Sequence, residues 1–156
     1  MSGSGETGHV QEEEDHFFKN ILMGLDLSDQ TERAVQAAAA LSRAFGSIVH
    51  AVTVVNVPTS SAGNEMNGTP ANQDEIKLRD EILYRIHKVF GEETRNIDVK
   101  VLHGDPGERI SEYAEYLNCD LIVVGSRGQG ILRKTIFGSV SGDIVNKSKR
   151  SVLIVK

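Results

Sequence analysis

Leu121-Ile122-Val123-Val124-Gly125-Ser126-Arg127-Gly128 carries an apolar run straight into a loop punctuated by glycine, and after nine further residues comes Gly138-Ser139-Val140-Ser141. A strand that delivers such a loop to the start of a helix leaves backbone N–H groups bare. The helix end adds more unsatisfied N–H groups and a favourable dipole, which is the form of a phosphate site. A second run, Ile21-Leu22-Met23-Gly24-Leu25, lacks polar alternation. It suits a strand buried on both faces of a parallel sheet.

Outward from these two runs the chain alternates strand and helix. Asp26 closes the first strand, and Ser28 is placed to cap a helix whose apolar positions Ala34, Ala38, Leu41 and Phe45 precede a stop at Gly46. Ser47 to Val57 is rich in β-branched residues and reads as the second strand, ended by Pro58. Pro58 to Asn72 is a Ser-, Thr-, Gly- and Asn-rich stretch, read as a mobile loop or lid. A second helix carries Leu78, Ile82, Ile86 and Val89 on one stripe, with Gly91 past its end.

Ile97 to Leu102 alternates with polar residues and so predicts an edge strand. Asp105-Pro106-Gly107-Glu108 supplies a capping acid, a proline at the first helical position and a glutamate at the third, with Ile110, Tyr113, Ala114 and Leu117 as the buried face. After Leu121 to Val124 and the glycine loop, Ser139 is expected to cap a fourth helix. That helix carries Val140, Ile144 and Val145, with Lys147, Lys149 and Arg150 near its negative end. Ser151-Val152-Leu153-Ile154-Val155 is a last strand. Five strands and four helices in strict alternation predict an α/β three-layer sandwich with a five-stranded parallel sheet and right-handed crossovers.

The bulk numbers bound this reading. A chain of 156 residues with 39% hydrophobic and 25% charged residues is ordinary globular composition for one domain. Residues 1–16, with Glu12-Glu13-Glu14-Asp15 in a row, hold too little apolar content to offset ordering entropy and read as a flexible acidic leader. The domain is expected over residues 17–156. A net charge of −5 argues against broad binding to nucleic acid. The single cysteine, Cys119, excludes an internal disulfide and any multi-cysteine metal site, and points to the cytoplasm. No apolar stretch approaches the ~18 residues of a membrane span.

In doubly wound sheets ligands bind beyond the carboxyl ends of the strands, where the strand order reverses. If the first and fourth strands are neighbours there, Asp26 and Gly125 meet from distant parts of the chain. Gly128 and Gly138 would let backbone approach phosphate oxygens, and Ser139 and Ser141 would add hydroxyls beside the N–H groups of the helix start. Arg127, Arg133 and Lys134 put positive charge around the same segment. Asp26, acceptor-only when ionised, suits a ribose hydroxyl rather than a phosphate. Each feature alone has a plainer reading: glycines form turns, basic residues form solvated surface, and Asp26 can cap a helix. Their coincidence carries the reading.

Other chemistries lack their patterns. There is no Gly-Lys-Ser or Gly-Lys-Thr, no glycine-x-serine-x-glycine turn, and no third glycine placed after Gly128-Gln129-Gly130 for a dinucleotide fingerprint. His50, His87 and His103 fall in separate elements, and Cys119 before a core strand reads as a small buried hydrophobe.

The sequence from about Lys19 to Lys156 resembles the universal stress protein family. Gly125, Gly128, Gly138 and Ser139 fit the family's nucleotide-binding spacing of glycine, two residues, glycine, nine residues, glycine, then serine or threonine. The strand ending in Asp26, the Gly104-Asp105-Pro106 turn, Asp120 to Gly128 and the terminal Ser151 to Val155 are further family-like features. One departure is Gly24, where many members have proline two residues before the aspartate.

The resemblance implies a sheet in the order 3-2-1-4-5, of the adenine nucleotide alpha hydrolase-like kind, and binding of ATP. By similarity Asp26 would hold the ribose, and backbone near Val54 would read the adenine edge. Gly125, Arg127, Gly128, Gly138, Ser139, Val140 and Ser141 would surround ribose and phosphates, with magnesium or manganese bridging the phosphates. It also implies a homodimer through Ser151 to Val155, in agreement with an apolar edge strand that has no proline or internal charge.

The leading expectation is a cytoplasmic ATP-binding regulatory dimer in stress response, in which nucleotide orders the loop Ser126 to Phe137 and alters a surface for a protein partner. An alternative is slow ATP hydrolysis or autophosphorylation on Ser139 or Ser141. It lacks an evident base at the γ-phosphate. A third is an adaptor dimer without nucleotide dependence.

Overall fold

The computed structural model describes residues 17–56, 73–126 and 138–156. The leader over 1–16, the loop over 57–72 and the segment 127–137, which includes Arg127, Gly128, Arg133 and Lys134, lie outside the described residues. Strand β1 (Asn20–Gly24) is followed by α1 (Gln30–Phe45), β2 (Ile48–Val55), α2 (Gln73–Phe90) and β3 (Val99–His103). Then come α3 (Pro106–Tyr116), β4 (Leu121–Gly125), α4 (Ser139–Lys147) and β5 (Ser151–Val155). All neighbouring strands pair parallel in the order β3-β2-β1-β4-β5, as expected, so β3 and β5 are the edges.

Pleating divides the strands' side chains between two cores. Ile21 and Met23 of β1 face Ala34, Val35 and Ala38 of α1 and Ile82 and Ile86 of α2. Leu22, between them in sequence, joins Ile110 and Ala114 of α3, Ile122 and Val124 of β4 and Ile144 of α4. Ile21, Leu22, Met23, Ile82, Ile86, Ile122 and Ile144 are fully buried. At about 1.5–3 kcal/mol for each such side chain, these two faces supply the main drive to fold.

Helix ends follow their local chemistry, with two corrections. Asp105 Oδ1 accepts from the Glu108 N–H at 2.9 Å and Pro106 opens α3, as the sequence predicts. Gly46, at φ 67°, ends α1 by donating its N–H to Ser42 O at 2.8 Å. Ser28 was expected to cap α1, but the helix begins at Gln30 with Asp29 at the N-cap and no side-chain cap bond from it. In α4 the N-cap is Gly138, so Ser139 is the first helical residue rather than the cap. Gly91 leaves α2 at φ 59° and starts a short 3₁₀ helix, Gly91–Asn96, that the periodicity did not announce.

Two residues assigned to apolar faces end up outside. Phe45 is 48% exposed and packs edge-on against Phe18, with ring centroids 5.5 Å apart, instead of entering the sheet core. Val145 is also exposed. At Gly24 a Cβ would lie 2.9 Å from both Ile110 Cδ1 and Val124 Cγ1, so glycine here lets α3 and β4 close on the end of β1.

Candidate functional site

The register aligns the expected residues at one end of the sheet. Gly24 pairs with Val52 on one side and Val124 on the other, which brings Asp26 and Val54 to one level and Leu25 beside Gly125. β1 and β4 are therefore the neighbours at which strand order reverses, and Asp26 leaves one as Gly125 leaves the other. Gly125 itself pairs with Val155 of β5. Val54, half-buried, pairs with Leu102.

Asp26 is held in a turn of its own making. Its Oδ1 accepts from the Ser28 N–H at 2.8 Å. Thr31 closes the turn from the first turn of α1: its Oγ1 donates to the Asp26 carbonyl at 2.6 Å and accepts from the Asp26 N–H at 3.2 Å. It also stands 3.2 Å from Asp26 Oδ1. Thr31 is only 3% exposed. A side-chain carboxylate anchored by local backbone and a buried hydroxyl has a fixed direction, which a flexible loop residue lacks.

The start of α4 is tied to the end of β4. Ser126, buried, donates its N–H to Val155 O at 2.8 Å, and its own carbonyl accepts from Gly138 N at 2.6 Å. The first intrahelical bond runs from Gly142 N to Gly138 O at 3.1 Å. The N–H groups of Ser139, Val140 and Ser141 precede it and have no partner four residues back in the helix, so they point out of its positive end. Ser141 is 2% exposed and its Oγ donates to Gly138 O at 3.0 Å, whereas Ser139 is exposed. The arrangement offers donors for an anion at α4 and, across β1 and β4, an acceptor carboxylate for a hydroxyl.

Arg127 and Gly128 lie outside the described residues, so the basic contribution and the middle glycine of the spacing carry no geometry here. Among the described residues, no group of three His, Cys, Asp or Glu side chains is placed to hold a metal ion. Sequence reasoning missed Thr31 and Ser126. Thr31 follows Asp26 by five positions, so an Asp-x-Ser-x-x-Thr run was readable as a turn closed by a hydroxyl. It also missed the pair of His103, at the end of β3, with Glu75 of α2, Nε2 to Oε1 2.6 Å.

A groove of about 400 Å³ lies elsewhere, between α1 and α2, lined by Asp29, Glu32, Glu81, Tyr84, Arg85 and Lys88. Four of its charges are already paired with one another, Lys88 with Glu32 and Arg85 with Glu81, each at 3.2 Å. It is a polar seam between helices.

Comparison with known proteins bears on the same fold. The sequence model of the Universal stress protein family matches residues 17–156. A universal stress protein of Thermus aquaticus is 33% identical over 147 residues, covering 89% of this chain and 99% of that protein. The stress response protein NhaX of Bacillus subtilis (strain 168) is 43% identical over 77 residues, 49% of this chain and 46% of that protein. A universal stress protein solved in complex with cAMP superposes with a TM-score of 0.65 at 25% identity, covering 88% of this chain and 96% of that one. The sheet order and the helices on both its faces are those of the adenine nucleotide alpha hydrolase-like fold. On the extent of the family match and the full-length likeness to the Thermus protein, this chain belongs to the universal stress protein family.

Proposed function

We propose that this chain is an ATP-binding regulatory protein acting in stress response as a homodimer in the cytoplasm, with residues 17–156 as its one domain. The observation that carries the reading is the junction of Ser126 and Gly138, which sets the positive end of α4 beside the reversal point where Asp26 follows β1. In this reading Asp26 holds the ribose and backbone near Val54 meets the adenine edge. Gly125, Arg127, Gly128, Gly138, Ser139, Val140 and Ser141 surround ribose and phosphates. The chemistry of the residues supports such a ligand: the Asp26 carboxylate is an acceptor suited to a hydroxyl, and the N–H groups at the start of α4 are donors suited to phosphate. A divalent ion, magnesium or manganese, would offset phosphate charge when bound. The cAMP complex of a relative supports an adenine nucleotide as the ligand class.

For the dimer, support comes from β5. It pairs on one side with β4, stands at the sheet edge, and has half-exposed Val152, Leu153, Ile154 and Val155 with no proline. An edge of that kind is a template for a second strand.

One observation narrows the enzymatic alternative. Ser141 is buried with its hydroxyl on Gly138 O, so of the two candidate phosphoacceptors the exposed Ser139 is the accessible one.

The test is to denature purified protein, identify any released nucleotide by chromatography, and measure thermal stability with and without MgATP. Ligand at ~100 times its dissociation constant stabilises by about 2.7 kcal/mol, roughly 5–10 °C in a domain of this size. Released adenine nucleotide, or a shift lost in Gly128→Val, is the expected result. Neither signal in folded protein would overturn the nucleotide reading and favour the adaptor.

A further inference from the structure

Gly107, the second residue of α3, is buried, and a Cβ built on it would lie 2.6 Å from Asp143 Cβ and 3.3 Å from Asp143 Oδ2 in α4. Ordinary contact begins near 3.4 Å. Side-chain rotation gives no relief, because a Cβ moves only with its own backbone. Backbone conformation does not demand the glycine either: Gly107 is not among the residues with positive φ. Helix propensity gives no reason to prefer glycine to alanine here. What glycine supplies at this position is the approach of α4.

The contact lies close to the anion-facing end of α4. Asp143 is two residues past the first turn Gly138–Ser141, and the helix start is fixed separately by the Gly138 N–H on Ser126 O. Lys147 spans the same seam, with Nζ 3.8 Å from Asp105 Oδ1 and 3.9 Å from Asp143 Oδ2. Ile144 sits beneath it in the core with Ile110 and Ala114. The helix is thus held at its start by β4 and near its second turn by α3. Pushing at Asp143 while Ser126 holds Gly138 tilts the first turn, and hydrogen bonds from its N–H groups weaken steeply with misalignment.

We propose that Gly107 is a positioning residue: the α3–α4 contact it permits aims the N–H groups of Ser139, Val140 and Ser141 at the phosphates of a bound nucleotide. The proposal rests on the nucleotide reading above. It separates the phosphate end of the ligand from the nucleoside end, which β1 and β2 hold without help from α3's first turn.

The test is calorimetric titration of the full chain with MgATP and with adenosine, for wild type, Gly107→Ala, Gly107→Ala/Asp143→Ala and Gly107→Ala/Asp143→Gly. Gly107→Ala is expected to weaken MgATP by about tenfold, the equivalent of one hydrogen bond, and to leave adenosine unchanged. Asp143→Gly removes the opposing Cβ and is expected to restore MgATP binding. Asp143→Ala loses the same carboxylate, keeps the Cβ and is expected not to. Rescue by both substitutions, equal loss of adenosine binding, or wild-type affinity in Gly107→Ala would each overturn the proposal. If Gly107→Ala alone does not fold, a folded and MgATP-binding Gly107→Ala/Asp143→Gly supports it, and failure of that variant to fold overturns it. A wild type that binds no MgATP refutes the nucleotide reading and this proposal together. A wild type that binds, with an unaffected Gly107→Ala, refutes the proposal alone.

Discussion

Thr31→Val removes one hydroxyl at the point where β1 hands over to α1 and changes little else. Valine matches threonine in shape, is β-branched like it, and has nearly the same helix propensity. The hydroxyl is 2.6 Å from Asp26 O and 3.2 Å from both Asp26 N and Asp26 Oδ1, in a residue 3% exposed. Losing two such bonds costs about 2 kcal/mol, and leaving the Asp26 N–H without this acceptor adds to it. The new buried methyl returns about 0.8 kcal/mol. The net is a destabilisation of about 1–2 kcal/mol, or roughly 3–6 °C in melting temperature for a domain of this size. Urea and thermal unfolding followed by circular dichroism would measure it, with Thr31→Ser, which keeps the hydroxyl, as the control. In the nucleotide reading the same variant also loosens the carboxylate at the ribose, so affinity should fall for adenosine and MgATP alike. Unchanged stability in Thr31→Val, or an equal loss in Thr31→Ser, would refute the assignment of the hydroxyl as the clamp on Asp26.

Two further outcomes are expected. Asp105→Ala should destabilise by about 1 kcal/mol through loss of the bond to Glu108 N–H, while Asp105→Asn keeps a capping oxygen and should stay near wild type in urea titration. Burial, with Asp120 adding and Arg150 opposing, pushes the Cys119 thiol up to about 11 from 9.0. The folded chain then holds that proton where the unfolded chain releases it, so this contribution to stability is complete below pH 9 and is lost as pH rises toward 11. Cys119→Ala should flatten the decline in denaturation midpoint across that window, and a thiol reagent should label the wild type only after unfolding.

The fold was readable because the two-face burial of a parallel sheet leaves so plain a mark. Leu22 and Met23 serve opposite cores, and both must be apolar, so β1 appears as an unbroken run. Asp105-Pro106 announced α3 because the cap is wholly local. Ser28 and Ser139 were misplaced for the complementary reason: each helix start is decided by a contact from outside it, Thr31 on Asp26 in one case and Gly138 on Ser126 in the other. Phe45 looked like core by spacing, yet as the last residue of α1 it packs on Phe18, just before β1. For the site, Asp26, Gly125 and the Gly138 to Ser141 turn could be named from order and spacing. The Thr31 bond to Asp26 and the Gly107 approach to Asp143 join residues five positions or a whole helix apart, and such contacts need coordinates.

The central place of β1 also dictates a sequence of events during synthesis. β1 pairs with β2 on one side, but its other edge waits for β4, and the two are stitched at their start by Lys19 N on Asp120 Oδ2 across a separation of 101 residues. As the chain leaves the ribosome, β1, β2 and β3 can associate as a three-stranded unit while the apolar edge of β1 stays open. Pairings this distant close slowly, and an open edge in the interval invites the wrong strand. The late-made segment from Asp120 onward, which carries β4, α4 and β5, therefore closes the sheet and sets the start of α4 against the end of β4. A chain truncated before it should be prone to aggregate rather than merely inactive.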